Sequence, residues 1–170
     1  MVKYTLPLGL LACCTVASGD ILLSQIGDEA GNGVGGGVSL SQYFEPTNSV
    51  YDIAALDNFT VDAPTHIHTV EVVIDGYGPN FNSIEFIEGF QVNVYSSPQA
   101  AGLDLVGDVA TNYLDVADVS ISPNWLGYGY LLSLPVSIDV ETGDLWLSVI
   151  TENNFQNNGM IGVNTSLIGD

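Results

Sequence analysis

Residues 128–140 read Y-G-Y-L-L-S-L-P-V-S-I-D-V, and every even position of this stretch is apolar. The odd positions hold Gly, Leu, Ser, Pro, Ser and Asp. Because side chains alternate between the two faces of a β-strand, this period of two predicts a strand with one buried and one mostly solvated face. Pro135 cannot donate a hydrogen bond to a neighbouring strand, so we expect a bulge at Pro135 or a position at a sheet edge.

The stretches around this strand are also β-like. Residues 141–144 (E-T-G-D) are typical of a turn, and the β-branched and aromatic residues 145–151 predict the returning arm of a hairpin. In residues 90–95 (F-Q-V-N-V-Y), Phe and Val alternate with Gln, Asn and Tyr, which predicts a half-buried strand. Further strands are predicted at residues 55–61, 67–74, 113–121 and 159–164.

Eight or nine short strands joined by loops of Gly, Asn, Asp and Pro predict an all-β fold. The expected architecture is a single antiparallel β-sandwich of jelly-roll-like type, with an up-and-down barrel as the alternative. No segment carries a helical stripe with caps, and no linker divides the chain.

The amino terminus has the order of a secretory signal. Lys3 precedes an apolar run at residues 6–12, and small residues follow at 17–19, so we expect residues 1–19 to be a signal peptide and residues 20–170 to be the mature domain. The alternative is a lipoprotein, because L-L-A-C at residues 10–13 approximates a lipobox that would anchor the chain through Cys13. Both interpretations predict a secreted, extracellular or cell-surface protein. The apolar run is too short to span a bilayer, and no transmembrane segment is expected in the mature chain.

Charge limits the possible partners. The chain has 20 Asp and Glu residues against one Lys or Arg, a formal net charge of −19; the basic residue is Lys3, so loss of the leader leaves 0 minus 20, or −20. Each carboxylate must then be hydrated, accept backbone N–H bonds or share a cation from solution. Phosphate backbones would be repelled, which argues against a nucleic-acid partner. Both cysteines, Cys13 and Cys14, lie in the leader, so the mature domain has no disulfide.

His66 and His68 are the two histidines of the chain. Their i, i+2 spacing predicts that both lie on one face of a strand, as metal-binding His-x-His pairs require. Glu71 falls on the opposite face by parity, and there is no third histidine. The favoured interpretation is therefore two exposed polar residues rather than a transition-metal site.

Asp139, Glu141 and Asp144 cluster at the predicted turn and form a candidate calcium site, because loop carboxylates suit this hard cation. The alternative is a solvated turn. Asp104 with Asp108, and Asp115 with Asp118, are weaker candidates of the same kind. The wider hypothesis is that millimolar Ca²⁺ stabilises a fold that lacks cationic side chains.

Trp125 is the candidate carbohydrate-binding residue, because an aromatic face on a sandwich can stack on a sugar ring. Tyr128 and Tyr130 are close to it in sequence, but they share the parity of the apolar face and are expected in the core. Trp146 has the opposite parity to its apolar neighbours, which fits a surface aromatic or a strand covered on both sides.

Four segments carry a resemblance to a known group of proteins. They are A-L-D-N-F-T-V (55–61), V-N-V-Y (92–95), P-V-S-I (135–138) and L-W-L-S-V (145–149). Together they resemble the "A-D-D-F-T-V" segment and later strands of bacterial exported sandwich domains in choice-of-anchor and PEP-CTERM-type surface proteins. The chain has Asn58 where that group has a second Asp, and it ends without the Pro-Glu-Pro sorting tail, so a truncated reading frame is one interpretation. The resemblance implies a sandwich fold and surface placement, and no defined reaction.

Catalytic signatures are missing from the sequence. There is no Gly-x-Ser-x-Gly elbow, and the mature chain has no Cys, Lys or Arg to act as nucleophile or oxyanion clamp. We therefore predict a structural or adhesion domain without enzymatic activity, whose partner is an extracellular polysaccharide or a matrix protein. The alternative is a carbohydrate-binding module, with calcium as a possible stabilising ion.

Overall fold

The computed structural model describes residues 21–24, 26, 34–77, 84–102, 104–123 and 129–166. The predicted leader with Cys13, and the candidate Trp125 with Tyr128, lie outside the described residues. Among the described helices, none is both long enough and apolar enough to cross a membrane.

The described residues form ten strands in two sheets. The strands are β1 (Val34–Leu40), β2 (Gln42–Tyr43), β3 (Asp57–Val61), β4 (Thr65–Tyr77), β5 (Ile87–Tyr95), β6 (Ala110–Asp115), β7 (Ser120–Pro123), β8 (Tyr130–Val140), β9 (Gly143–Asn153) and β10 (Met160–Ser166). Between them lie one short helix, α1 (Phe155–Asn158), and four 3-10 turns (Ser49–Tyr51, Ile84–Phe86, Pro98–Ala101 and Val116–Asp118).

Sheet A has the order β1-β10-β4-β8-β7, and sheet B has the order β2-β9-β5-β6. Strand β3 also belongs to sheet B, where it pairs with the first half of β9 while β2 pairs with the second half. The β2–β9 pair is parallel, and every other pair of described strands is antiparallel. The predicted all-β, antiparallel sandwich is confirmed; its jelly-roll-like type stays a prediction.

The core lies between the two sheets. In β8 the even positions from Leu132 to Val140 are all buried, as the period-two pattern predicts. They pack in one cluster with Phe90, Val92 and Val94 of β5 from the opposite sheet. Burial of such side chains, about 1.5–3 kcal/mol each, is the main stabilising contribution in the described part of the chain, which contains no cysteine.

The predicted irregularity at Pro135 is confirmed. Ile67 pairs with Ile138 and Thr69 with Pro135, so two residues of β8 face one residue, His68, of β4. Opposite this bulge the inward and outward alternation of β4 shifts by one residue. His66 and His68 point outward before the shift, and Val70 and Ile74 face the core after it, so Glu71 also points outward. The prediction that Glu71 lies on the opposite face from the histidines is therefore wrong.

The predicted hairpin of β8 and β9 is also wrong, because β8 belongs to sheet A and β9 to sheet B. Residues 141–142 carry the chain from one sheet to the other, and Gly143 has a φ of +143°, a conformation that favours glycine. Both strands bury apolar side chains in the same core from opposite sides. Their patterns therefore look like those of two hairpin arms.

Residues 113–121 do not form the single predicted strand. Strand β6 ends at Asp115 in sheet B, a 3-10 turn follows, and β7 begins at Ser120 in sheet A. The turn closes with a hydrogen bond from the Val119 N–H to the Val116 carbonyl, which lets the chain change sheets within a few residues.

Candidate functional site

The outer face of sheet B is covered over half its length. Gln91, Asn93 and Tyr95 point away from the core cluster, yet they are only 2%, 0% and 0% exposed. The prediction of a half-buried strand at residues 90–95 is therefore wrong, since β5 is buried on both faces. The cover comes from the β5–β6 connection, whose Ala101 and Leu105 are themselves buried.

Hydrogen bonds hold this cover on the sheet. The Tyr95 hydroxyl donates to the Leu105 carbonyl at 2.7 Å and lies 3.0 Å from Ser148 Oγ. Asn93 Oδ1 accepts from Thr111 Oγ1 at 2.9 Å, and from the Gly107 N–H at 3.3 Å. Burial raises the pKa of the Tyr95 hydroxyl, which keeps it a neutral donor.

Gly107 allows the cover to lie flat on β5. A Cβ at this position would come 2.1 Å from the Ala110 carbonyl oxygen and 2.6 Å from the Val94 carbonyl oxygen. Both obstacles are backbone atoms, so no side chain fits there without moving a strand. The sequence gives no local sign of this contact.

Beyond Gln91 the outer face of sheet B is open and forms a cleft of about 330 Å³. Four carboxylate residues and the exposed Tyr113 line it together with three uncharged residues: Glu88, Asp115, Asp118 and Glu152, and Gly89, Phe90 and Leu114. We call this the acidic cleft. Tyr113 is 65% exposed at its edge.

A bulge in β5 builds the cleft. Ile87 pairs with Asn153 and Gly89 with Glu152, which leaves Glu88 as the extra residue. Gly89 is small enough for the Glu152 side chain to lie against it, since a Cβ there would be 3.1 Å from Glu152 Oε2. On the other side Gly89 pairs with Asp115, which brings the carboxylates of three strand segments to one place.

The cleft offers hydrogen-bond acceptors and an aromatic face. Ionised carboxylates only accept hydrogen bonds, whereas the Tyr113 ring presents an apolar surface with a hydroxyl. No Lys or Arg occurs in the described ranges to balance the four carboxylates. The arrangement suits a neutral molecule rich in hydroxyl donors and repels anions.

Two of the three residues of the predicted calcium site have separate partners. Asp139 Oδ1, on β8, lies 2.6 Å from His66 Nδ1, whereas Asp144 Oδ1, on β9, accepts from Thr60 Oγ1 at 2.7 Å. Glu141 is exposed in the connection between the two strands. Across the residues that the structure describes, no three His, Asp or Glu side chains are grouped so that they could hold a metal ion.

Neutral donors serve Asp52 and Asp108, as the charge balance predicts. Asp52 Oδ1 accepts from the Phe44 N–H at 2.8 Å, and Asp108 accepts from both the hydroxyl and the N–H of Ser96. These bonds from Ser96 lower the pKa of Asp108. Within the described part of the chain, His66–Asp139 is the one contact that can become an ion pair.

A second exposed surface is aromatic. The Phe44 ring contacts Tyr51 and Phe155, with ring centroids 6.4 and 5.9 Å apart. Tyr51 is 65% exposed and the adjacent Val50 is 81% exposed. Glu45 Oε2 accepts from the Phe155 N–H at 2.9 Å and fixes α1 beside Phe44. We call these side chains the aromatic cluster.

Neither the acidic cleft nor the aromatic cluster can be predicted as a whole from the sequence. The sequence pairs Asp115 with Asp118 as a weak candidate for a calcium site. Glu88 and Glu152 join these two residues only through the pairing of β5 with β6 and β9. A glycine inside an otherwise apolar strand, as at Gly89, is the one local sign of a bulge. Trp146, whose position the pattern leaves open, is partly buried and pairs with Tyr95 on the outer face of sheet B.

No protein-family model, curated protein or solved structure matches this chain.

Proposed function

We propose that this chain is an exported adhesion domain without catalytic activity, which holds a neutral extracellular polysaccharide in its acidic cleft. The observation that carries the proposal is the position of Tyr113, 65% exposed, beside four carboxylates in an open cleft of about 330 Å³. Export is supported by the leader-like residues 1–19, and surface placement by the resemblance to exported sandwich domains.

The chemistry of the cleft favours a sugar chain over other ligands. Sugar hydroxyls donate to carboxylates, and the C–H face of a sugar ring can stack on an aromatic side chain. Anionic polysaccharides are disfavoured, because neither the cleft nor the remaining described surface carries a Lys or Arg.

A glycan array tests the proposal. The mature protein should bind neutral polysaccharides, and Tyr113→Ala should weaken binding at least tenfold, about 1.4 kcal/mol. Tyr77→Ala is the matched control, because Tyr77 is also exposed, at 44%, but lies on β4 of sheet A. An array that stays blank, or equal binding by Tyr113→Ala, would contradict the proposal.

The absence of catalysis is tested with the bound polysaccharide. The proposal expects no new reducing ends after prolonged incubation with the protein. If the wild type releases reducing ends and Glu152→Gln does not, the cleft is instead the active site of a glycosidase, since these enzymes act through paired carboxylates.

The aromatic cluster favours a second candidate function, adhesion to a matrix protein. Phe44, Tyr51 and Phe155 form an exposed patch with Val50, and aromatic residues are enriched at protein interfaces. Pull-down of extracellular matrix proteins by the wild type, compared with Tyr51→Ser, tests it. Equal recovery by both proteins would remove this candidate.

A further inference from the structure

The two histidines lie side by side on the outer face of sheet A. Their ring centroids are 4.3 Å apart, the rings are tilted by 57°, and both residues are exposed near the start of β4. Imidazole nitrogens bind Zn²⁺ at about 2.0–2.1 Å. Two imidazoles that are adjacent on one face of a strand can therefore both contact one ion once their side chains rotate.

Asp139 orients one of the two rings. Its Oδ1 lies 2.6 Å from His66 Nδ1, and because an ionised carboxylate only accepts, the proton of this hydrogen bond is on Nδ1. The lone pair of the neutral ring is then on Nε2, whose described contact is Ser137 Oγ at the long distance of 3.4 Å. A carboxylate that fixes the tautomer of a histidine in this way is the usual second-shell partner of a metal ligand.

The bulge in β8 answers one of the two sequence-based objections to a metal, the predicted face of Glu71, although Glu71 does not join the two histidines in a group of three described metal-binding side chains. It places Glu71 on the same outer face as His66 and His68, although parity predicts the opposite face. Among the described residues, none forms a hydrogen bond to the His68 ring, so this ring is available to a ligand. The strongly negative chain also raises the local concentration of cations.

We propose that His66 and His68 form a two-imidazole site for a first-row divalent transition metal ion, with Asp139 as the residue that orients His66. The remaining coordination positions belong to water, since the described residues contain no group of three metal-binding side chains. Imidazole ligands favour Zn²⁺, Ni²⁺ or Cu²⁺ over Ca²⁺ and Mg²⁺, which prefer oxygen. The site is independent of the acidic cleft, which lies on sheet B.

Calorimetric titration of the mature protein with Zn²⁺ alone, in buffer with excess Mg²⁺, tests the proposal. One site is expected; His68→Ala should abolish it, and Asp139→Asn should weaken it about tenfold. Asp57→Asn is the matched control, because it removes the same charge from an exposed position on β3 of sheet B and should leave Zn²⁺ affinity unchanged.

The variants are exposed at the surface, and circular dichroism checks that each is folded. Zn²⁺ affinity should fall in acid, because only neutral imidazole binds a metal. Zn²⁺ binding that survives His68→Ala, or that Asp57→Asn weakens as much as Asp139→Asn, would assign the metal to carboxylates and overturn the proposal. Absence of Zn²⁺ binding to the wild type would overturn it as well.

Discussion

The carboxylate of Glu152 lies against Gly89: a Cβ on Gly89 would come 3.1 Å from Glu152 Oε2 and 3.3 Å from the Leu114 carbonyl oxygen. Glu152 is on β9 and Leu114 on β6, the two neighbours of β5. Because Gly89 has no side chain, the Glu152 carboxylate can lie at this position in the acidic cleft.

Gly89→Ala should therefore move Glu152 and weaken polysaccharide binding severalfold, while overpacking destabilises the fold by about 1 kcal/mol. Affinity measurements and urea denaturation check both effects. Gly37→Ala is the matched control: its Cβ would lie 3.1 Å from Thr165 Oγ1, in sheet A and outside the cleft. If Gly37→Ala reduces binding as much as Gly89→Ala, the effect is general and the role given to Glu152 is wrong.

Tyr95→Phe should destabilise the protein by about 1–3 kcal/mol, because it leaves the buried Leu105 carbonyl without its hydrogen bond. The loss should be accompanied by faster hydrogen exchange in the β5–β6 connection that covers sheet B. Tyr113→Phe, at an exposed tyrosine, should leave stability unchanged. Equal unfolding midpoints for Tyr95→Phe and the wild type would show that the cover does not depend on this bond.

Acid should remove the contribution of the Asp108–Ser96 contact to the free energy of unfolding. Hydrogen bonds from Ser96 lower the pKa of Asp108 below its ordinary value of 3.8 in the folded state, so the contact stabilises the fold above that value and is lost as pH falls through the folded pKa. Because Asp108 is exposed, Asp108→Asn should cost at most about 1 kcal/mol at neutral pH. The difference from the wild type should shrink below pH 3.8. A difference that stays constant with pH would contradict this account.

Millimolar Ca²⁺ should raise the melting temperature relative to chelator at matched ionic strength. The chain has 20 Asp and Glu residues against a single Lys or Arg, so divalent cations relieve the mutual repulsion of the carboxylates. Asp139→Asn and Asp144→Asn should leave this shift largely intact, since the two side chains have separate partners in the two sheets. A melting curve that Ca²⁺ does not move would remove the hypothesis.

The buried faces of the strands could be predicted because alternation is a local property. Residues 130–140 have the predicted parity throughout β8, and even the disturbance at Pro135 follows from its missing N–H. The sheet to which a strand belongs is not local. Strands β8 and β9 bury side chains in one core from opposite sheets, so their patterns resemble those of a hairpin.

Three features of the candidate sites could not be predicted from the sequence, because each depends on contacts between distant parts of the chain. A bulge in β8 changes the parity of β4, which reverses the predicted face of Glu71. Asn93 is buried by residues of the following connection, which no alternation within β5 can reveal. Glu88 and Glu152 meet only because β5 and β9 are paired around a bulge.

The most direct test of the acidic cleft is an NMR titration of the ¹⁵N-labelled mature protein with the polysaccharide that it binds on the array. The account predicts that the largest amide shifts cluster at Gly89, at Tyr113 to Asp115 and at Glu152, the residues that line the cleft. Shifts that cluster instead around Phe44, Tyr51 and Phe155, or that leave the cleft amides unmoved at saturation, would contradict it.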